Sequence, residues 1–229
     1  MAITQKEADE IELAFIEAFN NPTDEEKSGP ALDAWNRLYA LMERENRYTG
    51  ELGIDTIDWQ IGNWAGDVTL VLHNAQRYGD CIKVNEQILK IYWYDDDTTR
   101  NFHENALRDI ADEYFYMGNK SKALELYEKY LIDDPLWGWG WVGYYRILEE
   151  SDDKRYEPVL NALYSKIQSG TEFRDEEDLL MDLDEVFEQR GEKEKASYCH
   201  SKRKNIKEKQ TPNDEALAKL VDALLGRYE

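Results

Sequence analysis

The chain has 229 residues, with 28 Lys and Arg against 49 Asp and Glu, and a formal net charge of −21. Such a surface repels phosphate backbones and anionic headgroups, which excludes direct nucleic-acid binding and membrane-surface binding from the expected functions. Hydrophobic residues make up 41% and charged residues 34%, the balance of helices that each carry one dry and one wet face.

The opening MAITQKEADEIELAF has no basic start and no long apolar run, and no later window approaches the ~18 apolar residues of a membrane span. A cytoplasmic address is expected. Ile11, Phe15, Ala18 and Phe19 line one face of a first helix that ends near Asn20-Asn21-Pro22. Leu32, Trp35, Leu38, Tyr39 and Met42 do the same for a second. Proline suits a first helical turn and not an interior, so Pro30 reads as the start of that helix after a turn at Ser28-Gly29. Residues 55–76 and 78–94 form the next pair, followed by an acidic connector, Asp95-Asp96-Asp97-Thr98-Thr99-Arg100. Helix pairs continue from there, one of them over residues 137–169. The last helix takes Thr211 as N-cap and Pro212 at its first position, with Leu217, Leu220, Val221 and Leu224 as its buried stripe.

An internal repeat is visible in this pattern. GNKSKA (118–123) aligns with GEKEKA (191–196), sharing Gly, both Lys and Ala, and Tyr114 aligns with Phe187. The offset is close to two periods of a unit of roughly 34 residues. Counted from Glu104, the first of these segments resembles a tetratricopeptide repeat nearly position by position. Leu107, Ile110, Ala111 and Tyr114 fall on the inner face of its first helix, Gly118 in the turn, Ala123 and Tyr127 on its second helix, and Pro135 at its end. Tyr130 departs from the pattern, standing where the family has a small residue. The resemblance covers about residues 55–209, strongly in one unit and loosely in three, with Cys81 and Tyr145 at small-residue positions of two others. Residues 134–143 also resemble the repeat domains of bacterial SEC-C-associated proteins. The cysteine-rich tail of that group is not in this sequence, so nothing about metal carries over.

The family resemblance implies an all-α fold of antiparallel helix pairs stacked into a right-handed superhelix, an α-solenoid. It implies three parts: N-terminal helices over 1–54 that pack on or cap the array, repeats over 55–209, and a C-terminal capping helix over 210–229. It further implies a concave groove lined by the first helix of each pair. Such a groove would present Asp67, His73 and Asn74, then Asn105, Arg108, Asp109, Asp112, Phe115 and Tyr116, then Trp139, Val142 and Arg146, and finally Asp178, Asp182 and Glu185. The candidate partner-binding residues are Arg108, Asp109, Asp112, Phe115, Tyr116, Trp139, Arg146, Asp182 and Glu185. A terminal carboxylate would meet repulsion from Asp112, whereas a basic or basic-apolar segment would pair with the acids and stack on the aromatic rings. Within the run Trp137-Gly138-Trp139-Gly140-Trp141, the first and last Trp share a helix face suited to the core, and Trp139 points elsewhere.

No catalytic or metal-binding pattern emerges. His73, His103 and His200 have no second His or Cys at helical metal spacing, and the two cysteines, Cys81 and Cys199, are isolated. Residues 95–101 imitate half of a calcium loop but place Arg100 at the glycine position and Ala106 at the closing-glutamate position. The expected protein is a non-catalytic scaffold without cofactor that binds a peptide or protein partner. The alternative is an acidic inhibitor, a DNA mimic or antitoxin-like protein that covers a basic surface. The sequence leaves the oligomeric state and the partner open.

Overall fold

The computed structural model describes residues 3–45, 55–91 and 97–207. Thr4 starts helix α1 (Gln5–Phe19). Its hydroxyl accepts from the Glu7 N–H at 3.3 Å and its own N–H donates to the Glu7 carboxylate at 2.9 Å. Two donors that a helix start leaves bare are thereby satisfied. Thr23 caps the next helix through its hydroxyl, which accepts from the Glu26 N–H at 3.3 Å and donates to the Glu26 carboxylate at 2.9 Å. Helix α2 (Asp24–Glu45) therefore begins before Pro30, which lies inside it and not at its start as the sequence suggested. The threonine cap and the acids Asp24, Glu25 and Glu26 in the first turn favour the earlier start. They outweigh the one amide donor that the proline withholds.

The following helices are α3 (Asp55–Asn74), α4 (Tyr78–Ile88), α5 (Asp97–Tyr116), α6 (Lys120–Asp133), α7 (Gly138–Glu150), α8 (Tyr156–Gln168) and α9 (Glu176–Gln189), with α10 over 193–207. Helix α4 stops at Ile88, short of the expected end at Tyr94. Helix α5 begins at Asp97, so the last part of the expected connector is helical. The helix expected after Thr211 lies outside the described residues. Among the described residues no strand forms, and the one extended contact is an isolated bridge between Trp137 and Arg174. The chain is all-α.

The turns after α3, α5, α7, α8 and α9 are built alike, and those after α5 and α9 are the two that the sequence repeat aligns. Beyond α5, Gly118 has φ +81°, its N–H reaches the Phe115 carbonyl at 2.8 Å, and the Asn119 N–H reaches the Tyr114 carbonyl at 2.8 Å. Beyond α9, Gly191 has φ +73°, with matching bonds to Glu188 at 3.0 Å and from Glu192 to Phe187 at 2.9 Å. Gln76 (φ 56°) and Asp152 (φ 49°) hold the same left-handed position after α3 and α7, with the same pair of carbonyl bonds. This is the double-bonded helix end that glycine normally occupies. The same end thus forms in hairpins whose sequences lack the glycine.

The chain divides into two compact units, Met1–Tyr127 and Glu128–Glu229. In the first, α1 packs on α2, α2 on α3, α3 on α4 and α4 on α5. Phe15, Trp35, Leu38, Met42, Ile61, Leu72, Val84 and Ile88 fill its core. Trp35 is fully buried and its indole N–H donates to Gln87 Oε1 at 2.7 Å, which satisfies the polar end of a large core side chain. In the second unit α7 packs on α8 and α9, around Val142, Tyr145, Leu163, Ile167, Leu180, Leu183, Phe187 and Cys199.

Candidate functional site

Within the first unit, α3 and α5 are the leading helices of successive hairpins, and a cleft of about 440 Å³ opens between them. Helix periodicity sets its walls. Ala65, Thr69 and His73 recur every fourth residue on α3, and Phe102, Asn105, Asp109, Asp112, Glu113 and Tyr116 recur at three- and four-residue steps on α5. Helix α4 supplies Asn85 and Ile88, both buried, as the floor. At one end Gly62 brings α3 close to α5, since a Cβ there would stand 2.5 Å from the Phe102 ring.

The polar groups of this cleft are densely charged and partly dry. Glu113 is buried, and one of its oxygens meets His73 Nδ1 at 2.8 Å. Burial raises the Glu113 carboxyl above the usual glutamate value, opposed by the His73 bond. Burial likewise pushes Asp109 up to about 6, with the Arg108 guanidinium opposing and the Glu113 charge reinforcing the shift. Asp112 accepts a hydrogen bond from Tyr127 Oη at 2.6 Å. Burial, reinforced by the Glu113 and Asp109 charges, raises the Cys81 thiol well above its ordinary value, which favours the protonated form. An aromatic cluster closes the other end. The His73 ring lies edge-on to Tyr116 at 5.0 Å, and Tyr78 stacks with Tyr116 at 5.9 Å.

Of the sequence-derived candidates, Arg108, Asp109, Asp112 and Tyr116 come together in this cleft, with His73 and Asn105 beside them. Phe115 is half-buried and touches the site only through the Tyr116 ring, at 5.9 Å. Asp67 and Asn74 are exposed outside the lining, and Asn74 donates to Asp24 at 2.8 Å. The remaining candidates stand in the second unit on α7 and α9. Asp182 is buried there and accepts from both Tyr145 Oη and Arg146. Trp139 is half-buried against the core of that unit, and Val142 lies in the core itself. Glu185 is exposed and accepts from Gln189 at 3.1 Å. Glu113 and Asn85 were missed from the sequence. A carboxylate and an amide at positions where the apolar stripe of a helix runs were the available signal.

No protein-family model matches the sequence, and neither does any curated protein. The chain is similar to solved helical structures. One is the TPR-like repeats of a kinesin light chain from Podosopora anserina, at 13% identity and a TM-score of 0.46, covering 90% of this chain and 97% of that one. Another is BtubC from P. vanneervenii, at 15% identity and a TM-score of 0.41, covering 90% of each chain. A third is pilF of Pseudomonas aeruginosa, at 14% identity and a TM-score of 0.36, covering 93% of this chain and 97% of that one. The described residues form an all-α protein whose helix pairs from α3 onward close through turns of one kind. The reading of its site rests on the site's own geometry.

Proposed function

We propose that the first unit binds an extended segment of a partner protein carrying basic and apolar side chains, and that the chain acts through this binding and not by catalysis. The observation that supports the reading is the α3–α5 cleft, where Asp109, Asp112 and Glu113 converge beside Leu70 and Tyr116, two large apolar side chains left exposed. Carboxylates in a partly dry cleft attract cations more strongly than carboxylates on an open surface. The exposed Leu70 and Tyr116 offer contact area to the neighbouring apolar residues of such a segment. In the second unit Arg146 and Asp182 are bound to each other, which leaves Trp139 and Glu185 as the contact candidates there.

Panning a random-peptide library on the full chain tests this. Enrichment of Arg or Lys next to apolar residues is expected, and the selected peptides should lose binding to an Asp112→Ala/Tyr116→Ala variant. Selection of acidic peptides, or binding that survives both substitutions, defeats the reading.

A further inference from the structure

Glu113 is the carboxylate of the cleft that internal packing does not account for. It is 2% exposed; one oxygen meets His73 Nδ1 at 2.8 Å, and Oε2 receives no N–H or O–H donor. The Cys81 thiol faces Glu113 as a weak hydrogen-bond donor, shared with the Thr69 carbonyl at 3.5 Å. A buried acceptor left without a strong donor costs free energy that a bound donor would recover. One helical turn away on the same face of α5 stands Asp109, close enough for the two carboxyls to repel each other. Arg108 lines the same cleft and offsets one charge, and the Tyr127 hydroxyl holds one oxygen of Asp112. From α3 His73 faces these acids, and from α4 the Cys81 thiol and the Asn85 amide, which bonds Asp109. Arg108 and His73 are thus the basic groups set against three carboxylates, Asp109, Asp112 and Glu113.

We propose that this end of the cleft is a subsite for a single guanidinium group. An arginine side chain of the partner enters beside Tyr116 and donates to Glu113 Oε2 and to the Asp109 carboxylate. This inference rests on the reading of the cleft as a peptide-binding surface and names the side chain it selects. Two features favour arginine over lysine. A planar fork of five N–H donors can span two carboxylates a helical turn apart, which a compact ammonium does less well. The half-exposed Tyr116 ring, part of the cluster with His73 and Tyr78, gives the entering cation an aromatic contact that arginine makes more often than lysine. Among the described residues no group of three or more His, Cys, Asp or Glu is placed to hold a metal ion. Because burial raises both carboxyls, a bound guanidinium draws them into the ionised form, and binding releases protons.

The test is calorimetric titration of the full chain with the blocked tripeptide Ala-Arg-Ala and its lysine and citrulline counterparts. Citrulline keeps the shape and most donors of arginine but not the charge. The arginine peptide should bind about tenfold more tightly than the lysine peptide, and the citrulline peptide weaker still. Near pH 6 its apparent enthalpy should change with the ionisation enthalpy of the buffer, reporting released protons. Glu113→Gln should abolish the preference for arginine over lysine. Asp109→Asn, which leaves the Glu113–His73 bond in place, should weaken arginine about tenfold, with circular dichroism confirming that both variants are folded. Equal affinity for the three peptides, or arginine binding unchanged in both folded variants, overturns the subsite. Library-selected peptides that need Asp112 and Tyr116 but show no arginine dependence also overturn it, and they leave the broader reading of the cleft intact.

Discussion

Burial at the cleft pushes the Asp109 carboxyl from an ordinary 3.8 up to about 6, with Arg108 opposing and Glu113 adding repulsion. Between those two values the folded chain holds a proton that the unfolded chain has lost, so stability falls as the pH climbs through that window. The contribution is complete below about pH 4 and is gone above the folded value, a difference of about 2–3 kcal/mol for a shift of this size. Asp109→Asn removes the titration while keeping the shape. The variant should therefore exceed the parent by about 2 kcal/mol in urea unfolding at pH 8 and match it at pH 4. A parent as stable at pH 8 as the variant would show that Arg108 already compensates the buried charge. Stability given up at a single carboxylate is what a binding site preserves at its own expense. Asp109, Asp112, Arg108 and Tyr116 were legible because the tetratricopeptide resemblance of residues 104–135 implies that they line the groove side of its first helix. Glu113 was not, because Ile110, Ala111 and Tyr114 around it mark a core face on which the periodicity expects an apolar side chain.

Helix ends and close approaches decide the elements, and glycines report on both. A Cβ on Gly138 would stand 2.4 Å from the Arg174 carbonyl oxygen, and one on Gly140 would stand 2.2 Å from the buried Trp137 ring. Neither neighbour can swing aside, so Gly138→Ala and Gly140→Ala should each cost about 2–3 kcal/mol despite alanine's better helix propensity. Gly66 in α3 has no such neighbour within 4 Å, and Gly66→Ala should gain about 1 kcal/mol in the same denaturation assay. A gain at Gly138 would mean that α7 does not pack on the 173–175 turn as described. Gln76→Gly belongs to the same series and should stabilise by about 0.5–1 kcal/mol, since glutamine there holds a left-handed φ that glycine adopts without strain. These turns also show where the sequence misled. The hairpin at 118–123 and its partner at 191–196 were legible through their shared glycine, whereas the equivalent turns at Gln76 and Asp152 carry no glycine to find. Pro30 misled in the opposite direction, because a proline is the strongest local punctuation and the capping threonine upstream is quieter. The start of α5 inside an acidic run follows from the same physics, since acids that look like a connector also favour a helix N-terminus.

At the scale of the whole molecule the governing quantity is the net charge of −21. Most cross-element ion pairs are at least partly exposed, such as Arg44–Glu7 and Arg155–Glu128. Pairs of that kind are worth about 0–1 kcal/mol each and are weakened by salt. Acids outnumber bases 49 to 28, so the dominant long-range term is repulsion among carboxylates that the folded chain crowds together. Raising the salt from ~0.02 M to ~0.5 M shortens the screening length from roughly 20 Å to about 4 Å, which suppresses that repulsion more than it weakens pairs already in contact. The melting temperature should therefore rise by about 3–6 °C, corresponding to about 1–2 kcal/mol for a chain of this size. Over the same range the affinity for a basic peptide should fall, because its attraction to the cleft is screened by the same ions. A melting temperature that fell with salt would show that the ion pairs outweigh the repulsion. The acidity would then be a stabilising network and not a field directed at a basic partner.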